Sequence, residues 1–463
     1  MLGVFIKSYG CKVSYGESFG FARLVREAGF LPLEITSPRH FARLAQGIEN
    51  PVVFINSCVV TETAELECLA FMRRLRRINP RTRIILTGCL ARSRTLTRRH
   101  EDELSGVHVV RNYQQAAELF LRLAEELGDD PRNHLPAELA VQANGAGGGV
   151  DYHAGLLPFG SERVRRFVKV QDGCRSMCTF CIIPQTRPFL SLPWQGVREE
   201  VRRALEEGIG EIVLTGVNIG FYEEPEEGFD FGELLFRVLE LAYPRARVRI
   251  SSIEPESVSQ RVVELLEHPA LCPHLHLPLQ SGSDRVLAAM NRRYRVGDYL
   301  ELCRHLREVC PEVALSADIM VGFPTEQEED LLATMEVVRR VGFERIHIFP
   351  FSPRPYTKAW TLKGLPQREI KARLHRLEEY HRSLLPGILA RRVGQEAELL
   401  VEQVEEGLVR GYTEHYLRVE HPITQEKEVA VGERVAVRLA APDRRGVFGL
   451  TEIRPAALPA GAA

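Results

Sequence analysis

No part of the 463 residues approaches the ~18 to 20 unbroken apolar positions that a membrane helix needs. The N-terminal MLGVFIKSYG also lacks the basic region and cleavage site of a secretory leader. Together these lacks point to a cytoplasmic chain with no membrane partner. Net charge is missing too: 60 Lys and Arg against 62 Asp and Glu leave a formal −2, so no globally basic surface can capture nucleic acid. Cysteine is not scarce, but the ten residues are irregularly spaced in a long chain, which disfavours a disulfide framework and favours thiolate ligands and reduced core thiols. The length suggests about three domains, each able to bury a core.

One local absence stands out. From Phe71 to Arg99 the chain has no acid and carries Arg73, Arg74, Arg76, Arg77, Arg81, Arg83, Arg92, Arg94, Arg98 and Arg99. Such a run is either a solvated helix face or a patch that tracks phosphates.

Cys174, Cys178 and Cys181 lie in QDGCRSMCTFCIIP, directly after the apolar stretch Val164 to Val170. A four-iron cube held by three cysteines keeps one iron without a protein ligand, and that iron can bind and activate a small molecule. The alternatives are a structural zinc site, which usually takes four ligands and has no fourth Cys or His close behind here, or a chance grouping of buried thiols.

A second trio follows from topology. VFIKSYG leads to Cys11, VVFINS to Cys58 and RIILTG to Cys89, with helical stretches Glu17 to Ala28 and Ala64 to Ile78 between them. This βαβαβ pattern predicts a doubly wound parallel sheet, whose strand ends converge on one edge. The three thiols would meet there; the alternative is three unrelated core cysteines. Cys68, inside the second helix, is a competing ligand that is better read as packing.

The predicted fold class is α/β in three parts. Residues 1–140 form the doubly wound domain, and 141–160, with its run of Gly, form a linker. In 161–385 the apolar runs VRRFVKV, EIVLTGVN, VRISSIEP, LHLPLQSG, LSADIMVGFP and RIHIFPFSP alternate with helices, giving a partial (β/α)6 barrel with its chemistry at the C-terminal strand ends. Cys272, Cys303 and Cys310 there read as packing residues. Alternating segments in 388–455 predict a small antiparallel β-barrel, and 456–463 a disordered tail. With ten basic and twelve acidic residues from Arg391 to Arg454, only a local face of that barrel could meet phosphate.

QDGCRSMCTFCIIP resembles the signature of radical S-adenosylmethionine (SAM) enzymes. The resemblance implies a [4Fe-4S] cluster whose open iron chelates S-adenosylmethionine, a reducing electron donor, and a 5′-deoxyadenosyl radical shielded from water by the barrel. It places Phe180 near the adenine and Gly216 and Asn218 near the methionyl amine. Glu254, Gln280 and Ser281, closing their own strands, would complete the pocket or else cap helices.

The match extends further. SYGCKVSYGES, INSCVVTETA, ILTGCLAR, EIVLTGVNIG, RISSIEP, LHLPLQSGSDRVLAAMNRRY, DIMVGFP and FPFSPRPYTKAW, in this order, resemble the methylthiotransferases, and the terminal barrel resembles their RNA-binding TRAM domain. That likeness implies that Cys11, Cys58 and Cys89 hold an auxiliary [4Fe-4S] cluster carrying the sulfur to be transferred. Cys11-Lys12-Val13 and the run Arg249 to Pro255 resemble the group acting on threonylcarbamoyladenosine beside the tRNA anticodon. The partner is then the anticodon stem-loop, held by the arginine-bearing stretch (Arg73 and Arg76 among it) and by the terminal barrel. Ser14 stands where the family commonly has asparagine. Phe189 to Leu192 replace a glycine and arginine-serine stretch, leaving Arg187 as the guanidinium to grip substrate, and Thr325-Glu326-Gln327 replace Gly-Glu-Thr. Other readings are action on isopentenyl-adenosine or on an aspartate of a ribosomal protein, a non-catalytic two-cluster electron carrier that binds RNA, and an RNA-binding zinc protein.

Overall fold

The computed structural model describes residues 2–127, 164–405, 407–423 and 429–455. The linker and tail expected at 141–160 and 456–463 lie outside them. The chain divides into two compact units, Met1–Glu162 with Ile182–Arg187, and Arg163–Cys181 with Pro188–Ala463.

In the first unit, strands β1 (Leu2–Ser8), β2 (Pro32–Glu34), β3 (Asn50–Ser57), β4 (Arg83–Gly88) and β5 (His108–Val109) form an all-parallel sheet in the order β2-β1-β3-β4-β5. The strands read as nearly unbroken apolar runs because helices cover the sheet. Phe21 stacks on Phe54 with ring centroids 4.0 Å apart, and Phe120 closes this core edge-on. The helices start earlier than their apolar periodicity suggests. The first, Lys12–Glu27, begins directly after Cys11 rather than at Glu17, and the second, Glu62–Ile78, is capped by Thr61, whose Oγ1 accepts the Ala64 N–H at 3.2 Å.

The second unit contains the expected partial barrel. Strands β6 (Arg165–Asp172), β8 (Glu211–Gly216) and β9 (Arg247–Ile250) pair in parallel, with the short antiparallel β7 (Leu190–Ser191) on the β6 edge. A second sheet holds β10 (His274–His276), β11 (Ala314–Val321) and β12 (Arg345–Pro350). The isolated bridge Val248–Leu271 continues the wall between the two sheets, and β12 is an open edge. Strands β13 (Glu396–Glu405), β14 (Leu408–Thr413), β15 (Arg418–Pro422), β16 (Arg434–Pro442) and β17 (Phe448–Pro455) close the terminal barrel. The expected end of the central region at residue 385 is corrected: one helix runs Gln367–Ala390, through Pro386. Leu377 and Leu384 pack into the central core, while Leu385 and Leu389 pack into the terminal barrel. Tertiary burial on both sides of the proline outweighs the lost N–H.

The two barrels are joined by a buried ion cluster. Glu211, fully buried on β8, pairs with Arg165 (2.7 Å), Arg247 (2.7 Å) and Arg249 (2.8 Å). Arg247 also donates to the carbonyls of Glu398 (2.7 Å) and Tyr412 (3.0 Å), and Arg249 to those of Glu414 (2.8 Å) and Thr413 (3.1 Å). Burial alone would raise the Glu211 carboxyl; the three guanidiniums override it and hold it well below the usual carboxylate range. Arg249, part of the run that resembles one substrate group, thus serves the junction between barrels.

Candidate active site

Three adjacent strands of the first sheet, β1, β3 and β4, deliver Cys11, Cys58 and Cys89 to the same edge. Cys11 is exposed, and Cys58 and Cys89 are buried. Glycines make this approach possible. Gly10 has φ +93°, and a Cβ there would fall 2.8 Å from the Cys58 Sγ; Gly88 has φ +88°, and a Cβ there would fall 2.4 Å from the Ser57 carbonyl. Burial pushes the Cys58 thiol up to about 12, with Cys89 and Cys11 adding to the effect, so Cys58 lies within the field of both other thiols. Ser14, buried, sets its Oγ 3.9 Å from the Cys11 Sγ. Cys68 is fully buried in its helix, and burial raises its thiol to about 12.

Arg187, read from the sequence as the guanidinium that grips substrate, is buried beside this trio: Nε donates to the Cys89 Sγ at 3.3 Å, while Nη1 and Nη2 reach the two carboxylate oxygens of Glu17 at 3.1 and 3.4 Å. Glu17 also accepts from Arg92 (2.9 Å) and Asn56 (3.2 Å). The arginine-bearing stretch is likewise not one uncompensated patch. Arg92 turns inward, Arg73 lies 3.8 Å from Glu103, and Arg76 donates to the Ser105 carbonyl at 2.7 Å. Arg74, Arg77, Arg81, Arg94, Arg98 and Arg99 stay exposed.

In the second unit, Cys174, Cys178 and Cys181 occupy the loop after β6, at the C-terminal rim of the partial barrel. Gly173 (φ +70°) starts the turn, and a Cβ there would meet the Pro188 carbonyl at 2.4 Å. Donors surround the sulfurs. Ser176 N–H lies 3.3 Å and Asn218 Nδ2 3.8 Å from the Cys174 Sγ, and Arg292 Nη1 donates to the Cys178 Sγ at 3.4 Å. Burial raises the Cys178 thiol, and Arg292 opposes that. Asn291 straps the loop through the Ser176 and Met177 carbonyls at 3.3 and 3.0 Å.

The other predicted pocket residues ring this rim. Asn218 is buried and its N–H donates to Gln171 Oε1 (2.9 Å), while its own Oδ1 finds no partner among the described residues. Gln280 sits at φ +61° with a buried Oε1 that likewise finds no partner among the described residues. Gly216 packs so closely on β6 that a Cβ would lie 2.9 Å from the Gln171 carbonyl. Phe180 meets Phe323 edge-on at 6.5 Å, and Ser281 is buried with its Oγ accepting the Ser283 N–H at 3.3 Å. Glu254 pairs with Arg292, which ties this carboxylate to Cys178. Arg292, Asn291, Gln171 and Glu17 were not foreseen, and nothing in their spacing marks them.

Among the described residues, no three His, Cys, Asp or Glu side chains sit close enough to hold a single metal ion. Each trio instead offers soft sulfur ligands with N–H donors aimed at them, the donor set that suits an iron–sulfur cluster. The orphaned Oδ1 of Asn218 and Oε1 of Gln280 are acceptors suited to the ammonium of an amino acid.

The comparisons with known proteins agree. The chain matches the Radical SAM superfamily over residues 168–338 and the "Uncharacterized protein family UPF0004" over 3–108. It is 34% identical to the threonylcarbamoyladenosine tRNA methylthiotransferase MtaB of Thermotoga maritima, over 97% of this chain and 96% of that one. This chain belongs to the radical SAM methylthiotransferases. The Bacillus subtilis MtaB is 30% identical over 95% of this chain and 94% of its own. A tRNA-2-methylthio-N(6)-dimethylallyladenosine synthase of Chlorobium phaeovibrioides is 32% identical over 86% and 85%. Among solved structures, the radical S-adenosylmethionine methyltransferase TsrM of Kitasatospora setae shares the fold, with a TM-score of 0.53 at 13% identity over 78% of this chain and 77% of that one. As a radical SAM methylthiotransferase, the chain works with a [4Fe-4S] cluster and S-adenosylmethionine. Among the described residues, no helix is long and apolar enough to cross a membrane.

Proposed function

We propose that this chain adds a methylthio group to C2 of N6-threonylcarbamoyladenosine beside the tRNA anticodon, in the cytoplasm. Cys174, Cys178 and Cys181 would hold the cluster that binds S-adenosylmethionine, and Cys11, Cys58 and Cys89 a second, sulfur-carrying one. The observation that carries this reading is the presence of two separate cysteine trios on strand ends in a chain alike over nearly its whole length to proteins named for this reaction. When bound, the two clusters supply the electron that splits S-adenosylmethionine and the sulfur that is transferred.

The protein's own part is to hold and shield. Asn218 and Gln280 would receive the methionyl ammonium with their side-chain oxygens, and Gly216 would approach it with its backbone. Phe180 would pack against the adenine. Arg292 steadies Cys178 against Glu254, and Arg187 steadies Cys89 against Glu17. Exposed arginines of the 71–99 stretch and a face of the terminal barrel would hold the stem-loop phosphates.

The decisive experiment is anaerobic reconstitution followed by incubation with unmethylthiolated tRNA bearing either the threonylcarbamoyl or the isopentenyl modification. Mass analysis of the nucleosides is expected to show the methylthio mark on the former; a mark on the isopentenyl nucleoside alone would move the substrate assignment. Iron should reach about eight per chain, falling to about four when either trio is changed to serine.

A further inference from the structure

The lumen of the central barrel holds a charged cluster that the cysteine sites leave unexplained. On β11 and β12, Ala317, Ile319, Ile346 and Ile348 pack into the core beneath the covering helices. Their neighbours Asp318 and His347, paired in register, therefore project to the opposite face, into the lumen. His276 joins them from β10. Asp318 receives both rings: His276 Nε2 lies 3.1 Å from Oδ2, and His347 Nδ1 lies 3.0 Å from Oδ1. The second nitrogen of His276 is engaged by Ser316 Oγ at 2.9 Å.

The result is asymmetric. The ring nitrogens of His276 are both engaged, whereas His347 has one nitrogen fixed by Asp318 and a side chain 68% exposed on the open edge strand. Two residues earlier on the same face is Arg345. It is also exposed, its guanidinium lies 5.7 Å from the Tyr416 ring centre, and no carboxylate stands within ion-pair distance of it among the described residues. The hydrogen bond that its ring donates to Asp318 raises the His347 imidazole above its ordinary value, which favours the cation. Two exposed nitrogen donors thus stand about 7 Å apart along one strand. His347 shares its carboxylate with His276, and Arg345 has none of its own among the described residues.

We propose that His347 and Arg345 form a carboxylate subsite that receives the threonyl arm of the substrate base, with Asp318 and His276 as positioning residues. This rests on the threonylcarbamoyladenosine reading above. Gln280, bridged to Ile319, stands at the rim, and Asp318 is the residue just before Ile319, on the lumen face. In adenine, C2 and the N6-bearing carbon lie on either side of N1. With C2 turned to the rim, the N6 substituent is carried down the lumen toward β12. An isopentenyl arm offers these cations nothing, so the same pair discriminates between the two modified bases.

The test uses reconstituted full-length protein and three anticodon stem-loops, carrying threonylcarbamoyladenosine, its uncharged methyl ester, or isopentenyl-adenosine. The parent is expected to prefer the acid over the ester. In His347→Gln, and separately in Arg345→Gln, that preference should fall about tenfold, read both as KM and as binding affinity without turnover. A general structural defect would lower acid and ester alike, and that outcome overturns the subsite, as does an unchanged preference in both variants. A parent that modifies the acid loop with no preference over the ester also overturns it, while leaving the proposed function standing. A parent inactive on the acid loop removes the function and the subsite together.

Discussion

Arg187 uses three nitrogens at once, one on the Cys89 thiol and two on Glu17, and no lysine can reproduce that fork. Arg187→Gln breaks a buried charged pair, expected to cost about 3 kcal/mol or more and to lower the melting temperature of the iron-free protein. In protein loaded with the second cluster proposed above it should also lower that cluster's reduction potential, because a cationic donor to sulfur favours the reduced form; redox titration followed by electron paramagnetic resonance reads this. Asp318 and His347 yield a pH prediction. Burial would raise Asp318, but hydrogen bonds from His276 and His347 hold it below its ordinary 3.8, while His347 is raised above 6.5. Their mutual stabilisation is therefore complete between those two ordinary values. It is lost as pH falls below 3.8 through the depressed Asp318 value, and as pH rises above 6.5 through the raised His347 value. The His347 midpoint measured by nuclear magnetic resonance should lie above 6.5, and Asp318→Asn should lower it. Six cysteines were legible as ligand candidates, three from local spacing and three from strand ends. Arg292 and Glu17 were not, because their partners stand 114 and 170 residues away in sequence, at Cys178 and Arg187.

Loops and strand ends carry the site, and their backbone decides whether it forms. Gly173→Ala would place a methyl group against the Pro188 carbonyl in a left-handed turn. The cysteine loop should shift, and iron content after reconstitution should fall by the share of one cluster, with the circular dichroism of the barrel kept. Periodicity identified strands and helices well but placed their ends less well. LHLPLQSG reads as eight residues of strand, yet the ladder stops after His276, and the chain then turns through the left-handed Gln280, whose oxygen is left open at the rim. Sequence shows apolar alternation, but the residue where a strand leaves its ladder depends on the neighbouring strand. Thr61 makes its cap within three residues, a local signal that the apolar periodicity, which begins this helix at Ala64, does not carry.

Across the molecule, the terminal barrel is fastened to the central one through Glu211. Glu211→Gln removes the charge shared by buried Arg247 and Arg249 and partly buried Arg165, and should cost about 3 to 5 kcal/mol. Calorimetry is expected to show a lower melting temperature, and limited proteolysis earlier release of the terminal barrel; an unchanged melting point would contradict the role given to this cluster. The arginine-bearing stretch teaches the reverse lesson. Its lack of acids in sequence suggested a continuous phosphate track, but folding brings Glu17 to Arg92 and Glu103 to Arg73. Proline 386 suggested a boundary, but packing on both sides carries the helix past it. The amino-acid order alone determined the three-part architecture, the strand ends that bear cysteine and the chemical family, because periodicity, turn residues and short motifs act over a few neighbouring positions. Only the tertiary structure decided that Arg187 and Arg292 turn to thiols, that Arg249 serves the junction and that two histidines share Asp318. Which charges meet depends on how distant elements pack, and no local spacing records that.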